Sequence, residues 1–556
     1  MRSLRLSGSA WLAAGLCILP LAAVLVAAFS GGTETIAGLM DTVLPRYVGT
    51  TLLLVAIVGT ATGIIGTATA WLVTMTWFPG RRWLEIALAM PLAYPAYVLA
   101  YGYTDFLDHP GWVQTTLREV MGWGPRDYLV PEIRSLGGAA AMLSFVLYPY
   151  VYLLARAAFL GQSATAYIAA RSLGHRPGRA FFKVALPMAR PAIAAGVLLA
   201  IMETIADFGT VSYFGVQTLT EGIFQAWRSF QDRPAAAQLA LCLLSFALLL
   251  AILERAQRKN ERQYGAGRRH ETMPPQQLIG WRGWAATATC FLPVFFGFLL
   301  PTGLLISLAW GSGQLMLTPR YLGFLTNSLQ LATVGALVTM AAALIIGFNT
   351  RLRPTPGNQL LARLSSVGYA VPGIVIGMGL FVPFARFDNA LDSFMEGTFG
   401  IDTGLLITGS MWLLIIAYMV RFMAIALSTY EAGQATIHPN VDAVARTLGR
   451  GPGGLLRGVH LPILRPTVFT ALLIVFVDIM KELPATMILR NVYFGDTLAV
   501  QAYQLAKDER LREAAVPSLV IGAVGLLPVI LLCQTLGRRR SPGAEATGIG
   551  VQAARS

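Results

Sequence analysis

The sequence predicts an all-α polytopic membrane protein with about 12 transmembrane helices arranged as two parallel six-helix repeats. Three observations predict it. Over 556 residues, 55% are hydrophobic and only 13% charged, with a mean hydropathy of +0.61, which is too apolar for a water-soluble chain of this size. Twelve apolar runs approach the roughly twenty residues that a bilayer-crossing helix needs. One stretch also occurs twice. Between residues 167–191 and 442–466, eleven positions coincide without a gap: Ala170, Arg171, Leu173, Gly174, Pro177, Gly178, Val184, Leu186, Pro187, Arg190 and Pro191, each with its partner 275 residues on. Shared composition does not fix register, so the chain reads as a tandem duplication.

In chain order, the first six runs lie near 10–29, 48–77, 83–105, 137–160, 190–213 and 236–254. The next six lie near 285–309, 325–348, 361–385, 404–428, 465–489 and 515–536. Arg2 and Arg5 precede the first run as they would in a signal peptide, but the run is long and no small-residue cleavage site follows, so a retained helix is expected. Shorter echoes support the duplication. Ala93-Tyr94-Pro95-Ala96 returns as Ala370-Val371-Pro372-Gly373, and Thr51-Leu52-Leu53-Leu54 as Ser328-Leu329-Gln330-Leu331, both 277 residues apart. A polar, charged stretch between the two sets shifts the register. It divides the chain into a first repeat at 1–256, a cytoplasmic linker at 257–284, a second repeat at 285–540 and a C-terminal tail at 541–556.

Loop charge orients these elements. Basic residues gather at Arg81-Arg82, in both repeated loops, in the linker, at Arg351 and Arg353, and at Arg538-Arg539-Arg540. Carboxylates gather on the opposite side, at Asp105, Asp108, Glu119, Asp127 and Glu132 and again at Asp388, Asp392, Glu396 and Asp402. The positive-inside rule therefore puts both termini and both copies of the repeat in the cytoplasm. It also accounts for the net charge of +14. No basic domain stands free of the apolar runs, so the lipid bilayer, and not nucleic acid, is the expected partner. Cys17, Cys242, Cys290 and Cys533 fall singly within apolar runs, which suggests packing. No H-E-x-x-H or G-x-x-x-x-G-K-[ST] motif occurs, so no catalytic residue, fixed metal, cofactor or nucleotide site is expected in this chain.

Each copy of the repeat reads locally as a short helix, a glycine stop and a restart. Residues 166–173 favour helix, Gly174 can take the left-handed conformation that ends one, and Pro177-Gly178 keeps it from resuming at once. A second short helix is expected over about 179–186, with Arg190-Pro191 opening the next spanning helix. A helical knob present twice on a pseudo-symmetric protein suits a partner that is itself a dimer.

At their spacing, Ala169-Ala170, Gly174, Val184 and Leu186-Pro187 resemble the EAA motif of the permease subunits of bacterial ABC importers. Val444-Ala445, Gly449, Val459 and Leu461-Pro462 repeat it, while Ile168 and Ala443 stand where that family has glutamate. The resemblance implies an ABC type I importer fold in a bacterial inner membrane. It also implies that Ala169, Ala170, Gly174, Leu186 and Pro187, with Val444, Ala445, Gly449, Leu461 and Pro462, dock into a separate dimeric ATPase subunit, which is where ATP and Mg are used.

Just after each knob come two carboxylates four residues apart, Glu203 with Asp207 and Asp478 with Glu482, again offset by 275. A spacing of four places both on one helical face. A charge at the bilayer centre costs about 2.5–3.5 kcal/mol on the mildest scale, so they are expected to face a polar interior. Two readings stay open. Hard oxygen donors gathered between the halves suit the passage of a hard cation such as ferric iron; alternatively, the carboxylates pair with Lys481 or cap broken helices. The stretches Met202-Glu203-Thr204-Ile205-Ala206-Asp207-Phe208-Gly209-Thr210 and Lys481-Glu482-Leu483-Pro484-Ala485-Thr486 look like the fused two-repeat permeases of ferric-iron ABC importers, and the similarity extends over nearly the whole chain. It implies a ferric cargo delivered by a periplasmic binding protein that docks on outward segments 213–233 and 491–513. Related permeases carry thiamine, polyamines, phosphonates, sulfate or molybdate; unneutralised acidic pairs speak against an anion. An ion-coupled secondary transporter also fits twelve spans in two parallel halves, but Trp77-Phe78-Pro79-Gly80-Arg81-Arg82 lacks the acidic residue of that class.

Overall fold

The computed structural model describes residues 2–30, 32–124, 127–128, 130–161, 170, 172–173, 177–264, 276–312, 318–490 and 495–538. Eleven helices in it are long and apolar enough to cross a membrane: Ser7–Ser30, Leu44–Met75, Leu136–Leu160, Gly178–Ala206, Arg233–Leu253, Trp281–Trp310, Pro319–Leu352, Gly373–Phe399, Met411–Gln434, Pro452–Lys481 and Leu511–Leu531. A bent pair, Arg81–Ala93 and Ala96–Met121, meeting at 93°, supplies a twelfth if it is one span. Among the described residues, strand structure is limited to one parallel pair, Thr76–Trp77 with Gln276–Gln277, which ties the end of the linker to the first half. The expected boundary at residue 256 falls inside a helix, Arg233–Tyr264, which carries the sixth span on into the linker. Cys17 and Cys290 are buried free thiols.

Two spans expected to be continuous are broken, at mirrored places. The third and ninth runs each begin as a short helix (Arg81–Ala87, Pro356–Ser365) and a 3-10 turn (Met90–Ala93, Ser366–Ala370), and the spanning helix starts only at Ala96 or Gly373. Tyr94 and Val371 are extended, with ψ of 138° and 123°. Pro95 and Pro372 impose this, because proline excludes the helical conformation from the residue before it. The echo seen in the sequence is thus a repeated helix break.

The separate second helix expected in each knob does not form. Pro177–Ala180 runs through a π-turn at Phe181–Ala185 directly into Leu186–Ala206, and Pro452–Leu455 through Leu456–His460 into Leu461–Lys481. Arg190-Pro191 and Arg465-Pro466 therefore lie inside a helix instead of opening one. Each π-turn ends two residues before another proline, Pro187 or Pro462; proline lacks an amide hydrogen and its ring meets the carbonyl four residues back, and a wider turn just before it relieves both problems. A third π-turn, Phe295–Leu299, likewise stands two residues before a proline, Pro301.

The halves interlock around a pseudo-twofold axis. The first helix packs across onto Gly373–Phe399 of the second half, where Gly379 meets the backbone of Pro20; reciprocally, Gly102 faces the Pro301 carbonyl. Beyond the fifth and eleventh spans the chain folds back into buried short helices, Leu219–Phe224 and Leu498–Lys507. Their first amides need acceptors from elsewhere. Thr51 Oγ1 accepts from Leu219 N at 3.0 Å, and Ser328 Oγ from Leu498 N at 2.8 Å, which explains the echo of these two hydroxyl residues. Thr51→Val is expected to cost about 1–3 kcal/mol by leaving that amide unpaired, read as a lower thermal midpoint of the purified chain, with Thr51→Ser close to the parent.

Candidate functional site

The two helices that carry the carboxylates end between the members of each pair. Asp207 (ψ 128°) and Glu482 (ψ 123°) are extended residues that follow Ala206 and Lys481, so the one-face arrangement drawn from the spacing is corrected. Each turns back to cap the next short helix. Asp207 Oδ1 accepts from Thr210 N (3.0 Å) and Val211 N (3.2 Å), and its Oδ2 from Thr210 Oγ1 (3.1 Å). Glu482 Oε1 accepts from Ala485 N (2.9 Å), and Oε2 from Thr486 N (3.1 Å) and Thr486 Oγ1 (2.7 Å). Glutamate is one methylene longer, which lets it reach the threonine one position further on. Both carboxylates thus satisfy helix-start amides and sit at the positive end of their dipoles.

All four carboxylates nevertheless line one cavity of about 170 Å³ between the halves. Glu203 accepts from the Tyr369 hydroxyl at 2.8 Å, a bond that joins the halves. Lys481 is an electrostatic neighbour of Asp478, as expected, and also donates from Nζ to the Leu92 carbonyl at 2.8 Å, within the 3-10 turn of the opposite half. Arg421 also enters the cavity, with Nε 3.9 Å from Glu482 Oε1 and its guanidinium beside the Phe422 ring. Gly373 makes room for that pair: a Cβ there would lie 2.6 Å from Glu482 Oε1 and 2.7 Å from Arg421 Nη1. Arg421, Tyr369 and the cavity-lining Tyr97 and Tyr150 escaped the sequence reading. Arg421 was detectable, since it is a lone charge in the apolar run Tyr418-Met419-Val420-Arg421-Phe422-Met423, and such residues face the interior. Among the described residues, no three His, Cys, Asp or Glu side chains come together in a set able to hold a metal ion.

The second knob is well defined. Its helix, Pro439–Thr447, is stopped by Gly449 at φ +76°, with Gly449 N bonded to the Arg446 carbonyl and Arg450 N to the Ala445 carbonyl, both at 3.0 Å, a Schellman ending. Ala445 packs inward with Phe348 and Leu455, whereas Val444 points outward, 57% exposed. Leu461 is partly buried, and Pro462 is exposed. Asp442, next to the position that lacks glutamate, turns inward: it receives Arg351 Nε at 2.7 Å and lies 2.7 Å from the fully buried His460 Nε2. Arg351 also donates to the carbonyls of Gln434 (2.6 Å) and Ile437 (2.8 Å). In the first knob Ala170 is buried, and Leu186 and Pro187 are partly buried, while Ala169 and Gly174 lie outside the described residues. Tyr167 and Ala185 replace Asp442 and His460 there. Among the described residues, the outward segments expected to dock a binding protein are largely buried, with runs of exposed residues at 228–233 and 507–510 and single exposed residues at Gly215, Gln217, Gly495 and Arg512.

A duplicated bundle that encloses a charged cavity between its halves, and carries a helical knob after the fourth span of the second half, defines a polytopic transport protein. The chain belongs to the family of binding-protein-dependent transport system inner membrane components, whose model matches residues 63–263 and again 339–542; it is a fused, two-repeat ABC permease. It is 25% identical to an Fe(3+)-transport system permease protein of Haemophilus influenzae, over 93% of this chain and 95% of that one. A ferric transport system permease protein of Actinobacillus pleuropneumoniae is 22% identical, over 84% of this chain and 67% of its own. A putative 2-aminoethylphosphonate transport system permease protein of Salmonella typhimurium is 28% identical over 30% of this chain and 58% of its own length.

Proposed function

We propose that this chain is the membrane permease of an importer for ferric iron, delivered by a periplasmic binding protein and driven by a separate, dimeric ATPase. The observation that carries this reading is the mirrored set of four carboxylates lining one cavity between the halves, in a chain similar over nearly its whole length to a permease named for Fe(3+) transport. Glu203 and Asp478, the two that do not cap helices, form the acidic wall of the pathway. The knobs, through Ala169, Ala170, Gly174, Leu186 and Pro187 and through Val444, Ala445, Gly449, Leu461 and Pro462, seat in the ATPase, where ATP and Mg are consumed. Both termini face the cytoplasm, as loop charge requires.

Each knob reaches the cavity through an unbroken helix, so a displacement at Pro452–Leu455 is carried along one rod to Asp478 and Lys481. Uptake of radiolabelled ferric iron by cells lacking the gene, with and without a plasmid copy, tests the assignment. At least a 10-fold difference is expected, equivalent to about 1.4 kcal/mol in apparent barrier. Equal uptake would remove iron as the cargo, and parallel assays with labelled thiamine, a polyamine or a phosphonate would then identify the substrate.

A further inference from the structure

We propose that the central cavity grips its cargo by an anionic oxygen group as well as by positive charge, with Arg421 and Lys481 holding the oxygens and Glu203 and Asp478 facing the cationic centre. The inference rests on the cavity being the substrate pathway, as proposed above. Counting its charges gives four carboxylates and two cations. Two of the carboxylates are already committed: Asp207 and Glu482 each accept three hydrogen bonds from the helix they cap. What remains to meet a cargo is balanced in number, two carboxylates and two cations: Glu203 from the first half, and Asp478, Arg421 and Lys481 from the second.

Unused donors give the cavity its direction. Arg421 Nη1 is buried and has no hydrogen-bond partner, and the hydroxyl of Tyr97, a residue only 4% exposed, is likewise unpartnered; both residues line the cavity. Buried donors without acceptors are unfavourable, and Glu482, the nearest carboxylate to Arg421, has its oxygens engaged elsewhere. An incoming acceptor oxygen would satisfy such donors, and a guanidinium and a phenol that line one cavity suit an oxyanion well. Since no three metal-ligating side chains stand together among the described residues, a trivalent ion would cross with ligands of its own. The shared chemistry is therefore an oxygen acid joined to a positive centre, met either by a metal ion with its oxyanion or by a small zwitterion bearing an amine.

The test uses the full importer, this chain with its ATPase and binding protein, in proteoliposomes. Arg421→Met is expected to lower uptake of whichever cargo the parent carries by about 10-fold or more, the loss of one charge-assisted contact, and Arg421→Lys to recover part of it. A bare cation would respond in the opposite sense, because its path would lose a repelling charge; unchanged or increased uptake in Arg421→Met would overturn the proposal. The parent importer provides a second measurement that needs no variant to fold. Radiolabelled iron and radiolabelled phosphate supplied together are expected to enter in fixed ratio. Iron entering without phosphate overturns this inference and leaves the iron assignment standing, whereas labelled 2-aminoethylphosphonate entering while iron stays out overturns the iron assignment and supports the inference.

Discussion

Glu482→Ala is expected to unfold the heart of the second half, whereas Asp478→Asn, four residues earlier, is expected to leave the fold intact and stop transport. Removing Glu482 takes the acceptor from Ala485 N, Thr486 N and Thr486 Oγ1 and the counter-charge from Arg421. Removing a buried carboxylate that caps a helix and faces a guanidinium in this way costs about 3–5 kcal/mol, a large part of the 5–15 kcal/mol that typically holds a domain together. Asp478 has no such bonds and faces the cavity. Its amide replacement is isosteric, so the thermal midpoint should stay within a few degrees of the parent, while uptake falls about 10-fold or more if a cation passes beside it. The two readings of the acidic pairs thereby separate residue by residue. Parental stability in Glu482→Ala would end the capping assignment, and parental uptake in Asp478→Asn would end the pathway assignment.

Asp442→Ala is expected to release the second knob and uncouple ATP hydrolysis from uptake. Three groups depend on this carboxylate: Arg351, His460 and, through the edge-to-face contact of His460 with Phe348 at 5.2 Å, the small core beneath the knob. Burial alone would push the Asp442 carboxyl up, but the His460 and Arg351 hydrogen bonds outweigh it and hold the group below the usual carboxylate range. A lowered folded-state value means that the stabilisation is fully present above the unfolded-chain value of about 3.9 and is lost as pH falls through and below it. At neutral pH, therefore, the whole network operates. Its removal should cost about 2–3 kcal/mol locally, seen as faster hydrogen exchange across Pro439–Thr447 and weaker copurification with the ATPase. Gly449→Val should act in the same direction through strain alone, about 1–2 kcal/mol, since the space around Gly449 is open and only its φ of +76° resists a side chain. Unchanged exchange in Asp442→Ala would show that the knob is held by its ATPase and not by its own chain.

The spans, their number and the duplication were legible because each rests on a local quantity: length, apolarity or register. What the sequence concealed depended on where the chain stops being helical. Spacing alone put Glu203 and Asp207 on one face, yet the helix ends at Ala206, and a residue one position past a helix end is a cap, not a neighbour on its surface. Pro95 and Pro372 were visible as an echo, but their consequence, broken third spans, follows only from the restriction they place on Tyr94 and Val371. Arg421 stands out as a lone charge in an apolar run, but its partner Glu482 lies far away in sequence, so only the fold brings the two together. The neighbourhood of Lys481 and Asp478 follows from their spacing along the helix, but the Leu92 carbonyl that Lys481 also bonds is set by tertiary packing.

The paired π-turns have a geometric corollary. Each residue advances an α-helix by about 100°, and a π-turn admits one residue more than an α-turn does, so everything beyond it is rotated relative to the knob below. Phe181–Ala185 and Leu456–His460 occupy equivalent places in the ungapped repeat. Both shafts are therefore set to the same angular phase, and the equivalent residues Glu203 and Asp478 both reach the one cavity between the halves.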